Sequence, residues 1–178
     1  GEGKNEELAK LLTVNANKET GEATFAGVTG GDTPLGTVKA IATENGALTL
    51  IKTEKDYKSI ISELTIEATG FDADNTATAM EAANSGDKVT NAGTITVNEH
   101  AFGMVAGAGA TAVNNAKIDN ESAGITVNAD AGEANTAIGM VADGDKATAT
   151  NNGKIDAQKG IGMLAKNGAT IENSVGAT

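Results

Sequence analysis

Residues 103–114 read GMVAGAGATAVN, and versions of this stretch recur along the C-terminal half of the chain. The copies are AMEAANSGDKVTN at 79–91, GMVADGDKATATN at 139–151 and GMLAKNGATIEN at 162–173. Each has a methionine with Ala or Gly before it and Ala two residues after it, a glycine-containing turn and a closing asparagine 10 or 11 residues after the methionine. A recurring unit of this kind indicates a repeat architecture, in which each unit stacks on its own copies.

The spacing of the methionines indicates which repeat this is. Met80, Met104, Met140 and Met163 lie 24, 36 and 23 residues apart. A period near 23 residues fits one coil of a β-solenoid and is short for paired-helix repeats, which run from about 33 to 47 residues. Leucine-rich repeats share that length, but the places where they need leucine hold Ala, Gly, Thr and Asn. The long middle interval predicts an insertion between Ile118 and Met140, with a polar stretch over 120–135.

A second column of residues follows the asparagines. Four positions after each of three asparagines stands an isoleucine, which pairs Asn91 with Ile95, Asn114 with Ile118 and Asn151 with Ile155. This spacing predicts that Ile95, Ile118 and Ile155 are equivalent on successive coils. The asparagines themselves admit two interpretations, a ladder of stacked amides as in cross-β arrays or a set of ordinary turn residues.

Short alternating segments predict strands. Apolar and polar residues alternate, with β-branched side chains, at 12–15, 48–50, 64–67, 95–98 and 125–128, as expected of half-buried strands. Two segments depart from this pattern. Residues 6–12 have acids first and then apolar residues at helical spacing, which predicts a short helix that caps the stack. Residues 55–64 are compatible with about two helical turns and are interpreted as a lateral excursion.

Composition and charge narrow the function classes. The chain of 178 residues is 2% aromatic and has no cysteine, so a compact enzyme core, disulfides and zinc-thiolate sites are disfavoured. Its formal net charge of −11 disfavours binding to nucleic acid. No stretch has the length and apolarity of a membrane span, so we expect no direct membrane insertion. We expect a single solenoid over 1–178, with a cap at 1–12 and the clearest repeats at 75–178, as a fragment of a longer protein.

Candidate catalytic and metal-binding residues are few. His100 is the chain's only histidine, at a predicted strand end, and is interpreted as a corner side chain. Paired carboxylates at Asp72 and Asp74, or at Asp143 and Asp145, have the spacing of a glycosidase acid and base, yet lack aromatic platforms for sugar rings. Asp143-Gly144-Asp145 resembles a weak calcium turn only faintly. The sequence therefore predicts no catalytic residue, no cofactor and no metal site.

The repeats also resemble a known family. The units starting at Gly103-Met104-Val105-Ala106 and at Gly162-Met163-Leu164-Ala165 resemble repeats in the passenger regions of Gram-negative autotransporter (type V secreted) adhesins. The resemblance covers residues 75–178 clearly and 12–50 loosely. It implies an all-β, single-stranded, right-handed parallel β-helix displayed outside the cell and engaged in adhesion or aggregation. It transfers no functional residue, because such passengers share no catalytic motif.

Three functions therefore remain open. The first is a non-catalytic extracellular β-solenoid, a segment of a bacterial surface adhesin or its spacer stalk. The runner-up is a carbohydrate-active β-helix enzyme of the pectin-lyase type. The third is an ice-binding solenoid, suggested by the threonine content but weakened because Thr94 and Thr96 are expected to be replaced by Lys117 and Asp119 on the next coil.

We expect recognition where the repeat is interrupted, because regular coils present a monotonous face. The interruptions are the insertion and the irregular stretch with the chain's only tyrosine. The candidate partner-binding residues are Tyr57, Asn120, Glu121, Asp130, Glu133 and Asn135. Their acidity favours a basic or neutral partner, a protein or glycan on a host or bacterial surface.

Overall fold

The computed structural model describes residues 12–27, 29–30, 33–34, 37–115, 124–130 and 132–178. Nineteen strands in these ranges form three main sheets and one small hairpin. Sheet 1 contains β1 (Leu12–Asn17), β2 (Glu22–Gly27), β7 (Ser59–Ser62), β10 (Lys88–Asn91), β13 (Thr111–Asn114), β16 (Thr148–Asn151) and β19 (Thr170–Asn173). Sheet 2 contains β5 (Val38–Ile41), β8 (Thr65–Thr69), β11 (Thr94–Val97), β14 (Ile125–Asn128) and β17 (Ile155–Lys159). Sheet 3 contains β6 (Leu48–Lys52), β9 (Ala77–Ala82), β12 (Ala101–Ala106), β15 (Ala137–Asp143) and β18 (Ile161–Lys166). The hairpin joins β3 (Thr29–Gly30) to β4 (Thr33–Pro34), and a 3₁₀ turn η1 spans Ala134–Thr136.

The chain visits the three sheets in a fixed order, one strand in each, and then returns one step along the stack. Coil 1 is β2-β5-β6, coil 2 is β7-β8-β9, coil 3 is β10-β11-β12, coil 4 is β13-β14-β15 and coil 5 is β16-β17-β18, after which β19 returns to sheet 1. Successive coils pair in parallel in every main sheet. The predicted all-β parallel β-helix is therefore confirmed. Five coils at about 4.8 Å each make a stack on the order of 24 Å long.

The methionine column predicted from the spacing is confirmed. Met80 pairs with Met104, Met104 with Met140 and Met140 with Met163, while Ile51 takes the equivalent position on coil 1. Met80, Met104 and Met140 are fully buried. Small residues surround them, since the alanines at both ends of β9, β12 and β15 also point into the core. A slender interior of this kind is filled by flexible Met and small Ala, so large aromatic rings are not required.

The glycine before two of the methionines is there for close approach between coils. A Cβ added at Gly103 would lie 2.5 Å from the carbonyl oxygen of Gly139, and one added at Gly139 would lie 2.6 Å from that of Gly162. Gly162 itself has no such neighbour, because its nearest atom is a side-chain carbon of Ile155 at 3.6 Å. The close carbonyl of the next coil therefore requires glycine at positions 103 and 139.

The asparagines form a ladder and also close turns, so both interpretations hold. Asn91 donates from its amide nitrogen to the side-chain oxygen of Asn114 at 2.9 Å, Asn114 to Asn151 at 2.9 Å, and Asn151 to Asn173 at 2.8 Å. The same amides also donate to the carbonyls of Gly124, Lys154 and Thr178. Asn91 and Asn151 in turn accept from the backbone N–H groups of Gly93 and Gly153, two residues on. Asn91, Asn114 and Asn151 are buried, so these bonds satisfy amides that would otherwise be costly to bury.

The predicted isoleucine column is wrong at its middle member. Ile95 pairs with Ile125, and Ile125 pairs with Ile155, whereas Ile118 lies outside the described residues. Ile125 and Val127 are buried in the same way as Ile95 and Val97. The predicted insertion over 120–135 is therefore not one loop, because strand β14 runs through it and contributes two core side chains. The extra residues of coil 4 lie on both sides of β14.

Neither of the two segments predicted to be helical contains a helix within the described residues. The helix predicted over 6–12 falls almost wholly outside the described residues, and Leu12 already begins β1. β1 runs antiparallel to β2 and borders sheet 1 at the N-terminal end of the stack. The helical interpretation of 55–64 is wrong, because Ser59–Ser62 is strand β7, paired with both β2 and β10. Burial of Ile60 and Ser62 on one face, together with two backbone ladders, outweighs the local helical spacing.

The register gives Thr96 a different neighbour on the next coil from the one expected from the sequence. Thr96 pairs with Thr126, and the rest of this outward column of sheet 2 is Lys39, Glu67 and Asp156. The expected replacement of Thr96 by Asp119 is thus wrong, although charged residues still interrupt the column. Among the described residues, no helix is long and apolar enough to cross a membrane.

Candidate functional site: the variable corner

The connections between sheets 2 and 3 differ from coil to coil. They are residues 42–47 in coil 1, 70–76 in coil 2, 98–100 in coil 3 and 129–136 in coil 4, and in coil 5 a single residue, Gly160, separates β17 from β18. We call the connections of coils 2, 3 and 4 the variable corner. Stacked coils place them one above another, so three loops of different length share one edge of the solenoid.

His100 holds the variable corner together. Its imidazole Nε2 lies 3.1 Å from a carboxylate oxygen of Glu133, and its backbone N–H donates to the Thr136 hydroxyl at 2.9 Å. On the opposite side, the backbone carbonyl of His100 accepts from Ala77 at 3.2 Å. His100 therefore contacts the connections of the coils on both sides of its own. It also adopts a left-handed backbone conformation, with φ of 51°, which marks a sharp corner.

The same corner demands a glycine on coil 2. A Cβ added at Gly70 would lie 1.8 Å from the carbonyl oxygen of His100. The N–H of Gly70 also donates to the carbonyl of Glu99 at 2.9 Å. The loop over 70–76 is thus anchored tightly where it leaves the stack.

Asp72 organises the outer part of that loop. One of its carboxylate oxygens accepts from the backbone N–H groups of Asp74 and Asn75 and from the Asn75 side chain, at 2.9–3.0 Å. Desolvation raises the pKa of Asp72, but these hydrogen bonds and the charge of His100 lower it more, so its pKa lies below the ordinary 3.8. Phe71, whose N–H donates to the carbonyl of Asn75 at 2.8 Å, is left 53% exposed at this loop.

The variable corner is predominantly acidic. Its described residues carry five carboxylates and no lysine or arginine, with His100 as the remaining titratable group. The acids are Asp72, Asp74, Glu99, Asp130 and Glu133. Asp74 and Asp130 are exposed, and the side chain of Glu133 is 47% exposed. A partner at this edge meets negative charge on three consecutive coils.

The predicted partner-binding residues fall in separate places. Asp130, Glu133 and Asn135 lie together in the variable corner, on the connection with η1. Tyr57 lies in the turn between β6 and β7, at the corner between sheets 3 and 1, where it is half-buried and packs against the core. Asn120 and Glu121 lie outside the described residues. The structure therefore brings three of the six together and sets Tyr57 apart.

Sequence reasoning missed the contribution of residues 70–76 and of His100. The interval of 14 residues between the core residues Ile66 and Met80, against 9 between Ile95 and Met104, is the signal that exposes the longer connection. That signal can be read only after the isoleucines have been placed in register. His100 is a corner residue as predicted, but it also links connections from three coils.

One member of each carboxylate pair weighed as acid and base has a structural partner. Asp72 orders its own loop as described above. Asp143 accepts from the Asn167 side chain at 2.6 Å and lies 3.6 Å from the ammonium of Lys166. Within the described ranges, no group of three or more His, Asp or Glu side chains is placed to hold a metal ion.

Residues 40–174 match the family model described as the BigA third pectate lyase-like domain. The chain belongs to this family. The match begins in β5 and ends just after β19, so it takes in coils 2 to 5, the asparagine ladder and the variable corner. The pectate lyase-like description of this family agrees with the parallel β-helix of the structure. Neither the curated proteins nor the solved structures contain a match.

Proposed function

We propose that this BigA-family domain is a non-catalytic, extracellular segment of a bacterial surface adhesin, and that the variable corner contacts the partner. The observation that carries the proposal is that three connections of seven, three and eight residues, with five carboxylates, stack at one edge of the parallel coils. The family takes its name from BigA, an autotransporter-like adhesin. That context supports a surface or secreted location and an autotransporter route of secretion.

The chemistry of the corner indicates the class of partner. Five carboxylates, with no lysine among the corner's own described residues, favour a basic or neutral surface, either a protein or a glycan on a host or bacterial cell. Nucleic acid is disfavoured by the same charge. The loops are anchored by His100, Gly70 and Asp72, so the corner is pre-organised and loses little conformational entropy on binding.

The pectate lyase-like description belongs to the family model and describes the fold. At the variable corner, Asp72 is occupied in ordering its own loop and Glu133 faces His100. We therefore propose that these carboxylates are structural and recognise partners, and that the domain performs no lyase reaction.

The test uses matched charge reversals in the full-length protein displayed on cells. The corner variant is Asp74→Lys with Asp130→Lys, and the control is Glu54→Lys with Asp56→Lys at the corner that holds Tyr57; all four residues are exposed. Both variants change the net charge equally. We expect the corner variant to lose most adhesion to host-cell monolayers or to other bacteria and the control to keep it.

Equal loss in both variants would contradict a role for the variable corner and point to overall charge. Loss in the control alone would move the site to the Tyr57 turn. Purified domain is assayed in parallel for the release of unsaturated products from polygalacturonate, and turnover there would contradict the non-catalytic proposal.

A further inference from the structure

The outer face of sheet 3 changes character along the stack. On coils 1 and 2 its outward positions hold Thr49 and Lys52, then Thr78 and Glu81. On coils 3 to 5 the same two columns are apolar throughout: Phe102, Ile138 and Ile161 in one, and Val105, Val141 and Leu164 in the other. The outward positions of a solvent-exposed sheet face usually hold polar residues, but on these three coils both columns are apolar.

These side chains form a groove. Ile138 and Val141 are nearly buried, at 8% and 5% exposed, and form its floor. Phe102 and Val105 stand on one side and Leu164 on the other, with Asp143 and Lys166 at one end. The groove is open to solvent on one side and has a volume of about 130 Å³, against the roughly 150 Å³ of a closed engineered apolar cavity that binds benzene. Its size therefore suits one aromatic side chain.

The chain itself carries such a side chain. Phe71 is 53% exposed, on a loop that is fixed by the Asp72 hydrogen bonds and by the close contact of Gly70 with His100. An exposed aromatic ring on an ordered loop is the type of residue that acts as an anchor in protein interfaces. Because the loop is already ordered, little entropy is lost when the ring is buried.

Charge supports a second copy of this chain as the occupant. Phe71 is followed by Asp72 and Asp74, whereas Lys166 stands at the end of the groove beside Asp143, and Lys52 stands on the same face, two coils from Val105 and beside Glu81. The two lysine side chains are 53% and 57% exposed, and each is paired with an acid only at 3.4–3.6 Å. Exposed pairs of this kind are weak, so these lysines can re-pair with the acids that accompany an incoming Phe71.

We propose that the groove on sheet 3 receives Phe71 of a second copy, so that copies associate head to tail. Phe71, which we call the knob, and the groove are different patches of one chain. The contact is therefore heterologous and leaves a free knob and a free groove on every pair. The proposal rests on the aggregation part of the proposed function and supplies its contact between copies.

The experiment measures self-association of the 178-residue chain by sedimentation velocity, from about 10 μM to about 1 mM, the range expected for a contact this small. We expect the average sedimentation coefficient to rise with concentration. Phe71→Ser and Leu164→Lys should each weaken association by about 10-fold or more. The control is Ile41→Ser, since Ile41 is also 53% exposed but lies on sheet 2, and it should associate like the parent.

The deciding arm mixes the two defective chains. Phe71→Ser keeps its groove and Leu164→Lys keeps its knob, so the mixture should form one-to-one dimers that do not extend, although each variant alone is monomeric. Lysine is compatible with this column, which already contains Lys52, and far-UV circular dichroism with thermal unfolding verifies the fold. Should Leu164→Lys not fold, Val105→Glu replaces it, because the column also contains Glu81.

A parent chain that stays monomeric throughout would overturn the proposal, as would undiminished association of Phe71→Ser or a mixture that stays monomeric. Adhesion of cells that carry Asp130→Lys alone is measured beside this experiment, because Asp130 lies outside both the Phe71 loop and the groove, whereas Asp74 stands on the Phe71 loop. Failure of this contact and failure of the proposed adhesion are therefore distinguishable.

Discussion

The corner between sheets 1 and 2 and the variable corner are held together by different contacts. At the corner between sheets 1 and 2, coils 3, 4 and 5 each end their first strand with a buried asparagine that bonds to the next. At the variable corner, the connections contain seven, three and eight residues on coils 2, 3 and 4, over 70–76, 98–100 and 129–136. The buried asparagines bond to one another even across coil 4, whose connection at this corner lengthens to ten residues over 115–124, whereas the loops of the variable corner are linked through His100. We therefore assign stability mainly to the first corner and recognition to the second, with coils 3 and 4 contributing to both.

The largest expected effect comes from breaking the ladder at its centre. Asn114→Ala removes the bonds to Asn91, Asn151 and the Lys154 carbonyl. Three lost hydrogen bonds at about 1 kcal/mol each, with buried polar groups left behind, should lower the free energy of unfolding by about 3–4 kcal/mol. Asn173→Ala is the control, because Asn173 is exposed at the end of the ladder, and it should cost much less. Equal losses in urea unfolding would contradict a ladder that stabilises by burial.

A smaller effect tests the closeness of the coils on sheet 3. Gly103→Ala places a methyl group against the carbonyl of Gly139 and should cost about 2 kcal/mol through forced backbone movement. Gly162→Ala meets no atom closer than 3.6 Å and should be nearly neutral. Thermal unfolding of the two variants gives the comparison, and a larger loss for Gly162→Ala would refute the stacking seen here.

The smallest effect is expected at the variable corner. Glu133→Gln replaces the carboxylate that lies 3.1 Å from His100 Nε2, at a partly solvated contact, by a neutral amide and should lower the free energy of unfolding by less than about 1 kcal/mol. Amide hydrogen exchange should nevertheless speed up over 129–136 and at His100, whose N–H is bonded to Thr136. Loss of stability as large as that of Asn114→Ala would erase the distinction between the two corners.

How much of this could be read from the sequence depends on what each column of residues does. The methionines and asparagines were predictable, because the two recur together, with each asparagine 10 or 11 residues after its methionine even across the long interval. The isoleucine column was not, since Ile118 stands four residues after Asn114 by coincidence, while the buried partner of Ile95 is Ile125. Spacing from one neighbour cannot reveal an insertion between the asparagine and the next strand. Burial of Ile125 and Val127 on the core face decides the register.

The candidate site was half predictable for a related reason. Asp130, Glu133 and Asn135 belong to an interruption that is visible as extra length, whereas residues 70–76 look ordinary until the strands around them are aligned. The role of His100 depends on contacts with Ala77 and Thr136, 23 and 36 residues away in the chain. Contacts of that kind arise from stacking and have no local sequence signature.

The register of coil 4 supports both corners, and a disulfide tests it directly. The chain has no cysteine, so pairs can be introduced without background. Thr96→Cys with Thr126→Cys places two outward residues on adjacent paired strands, within the Cα separation of about 4.4–6.8 Å that a disulfide needs. Thr96→Cys with Asp119→Cys is the pair expected from the isoleucine spacing. We expect rapid, near-complete cross-linking of the 96–126 pair in the folded protein and little of the 96–119 pair; the reverse result would contradict the register that pairs Ile95 with Ile125.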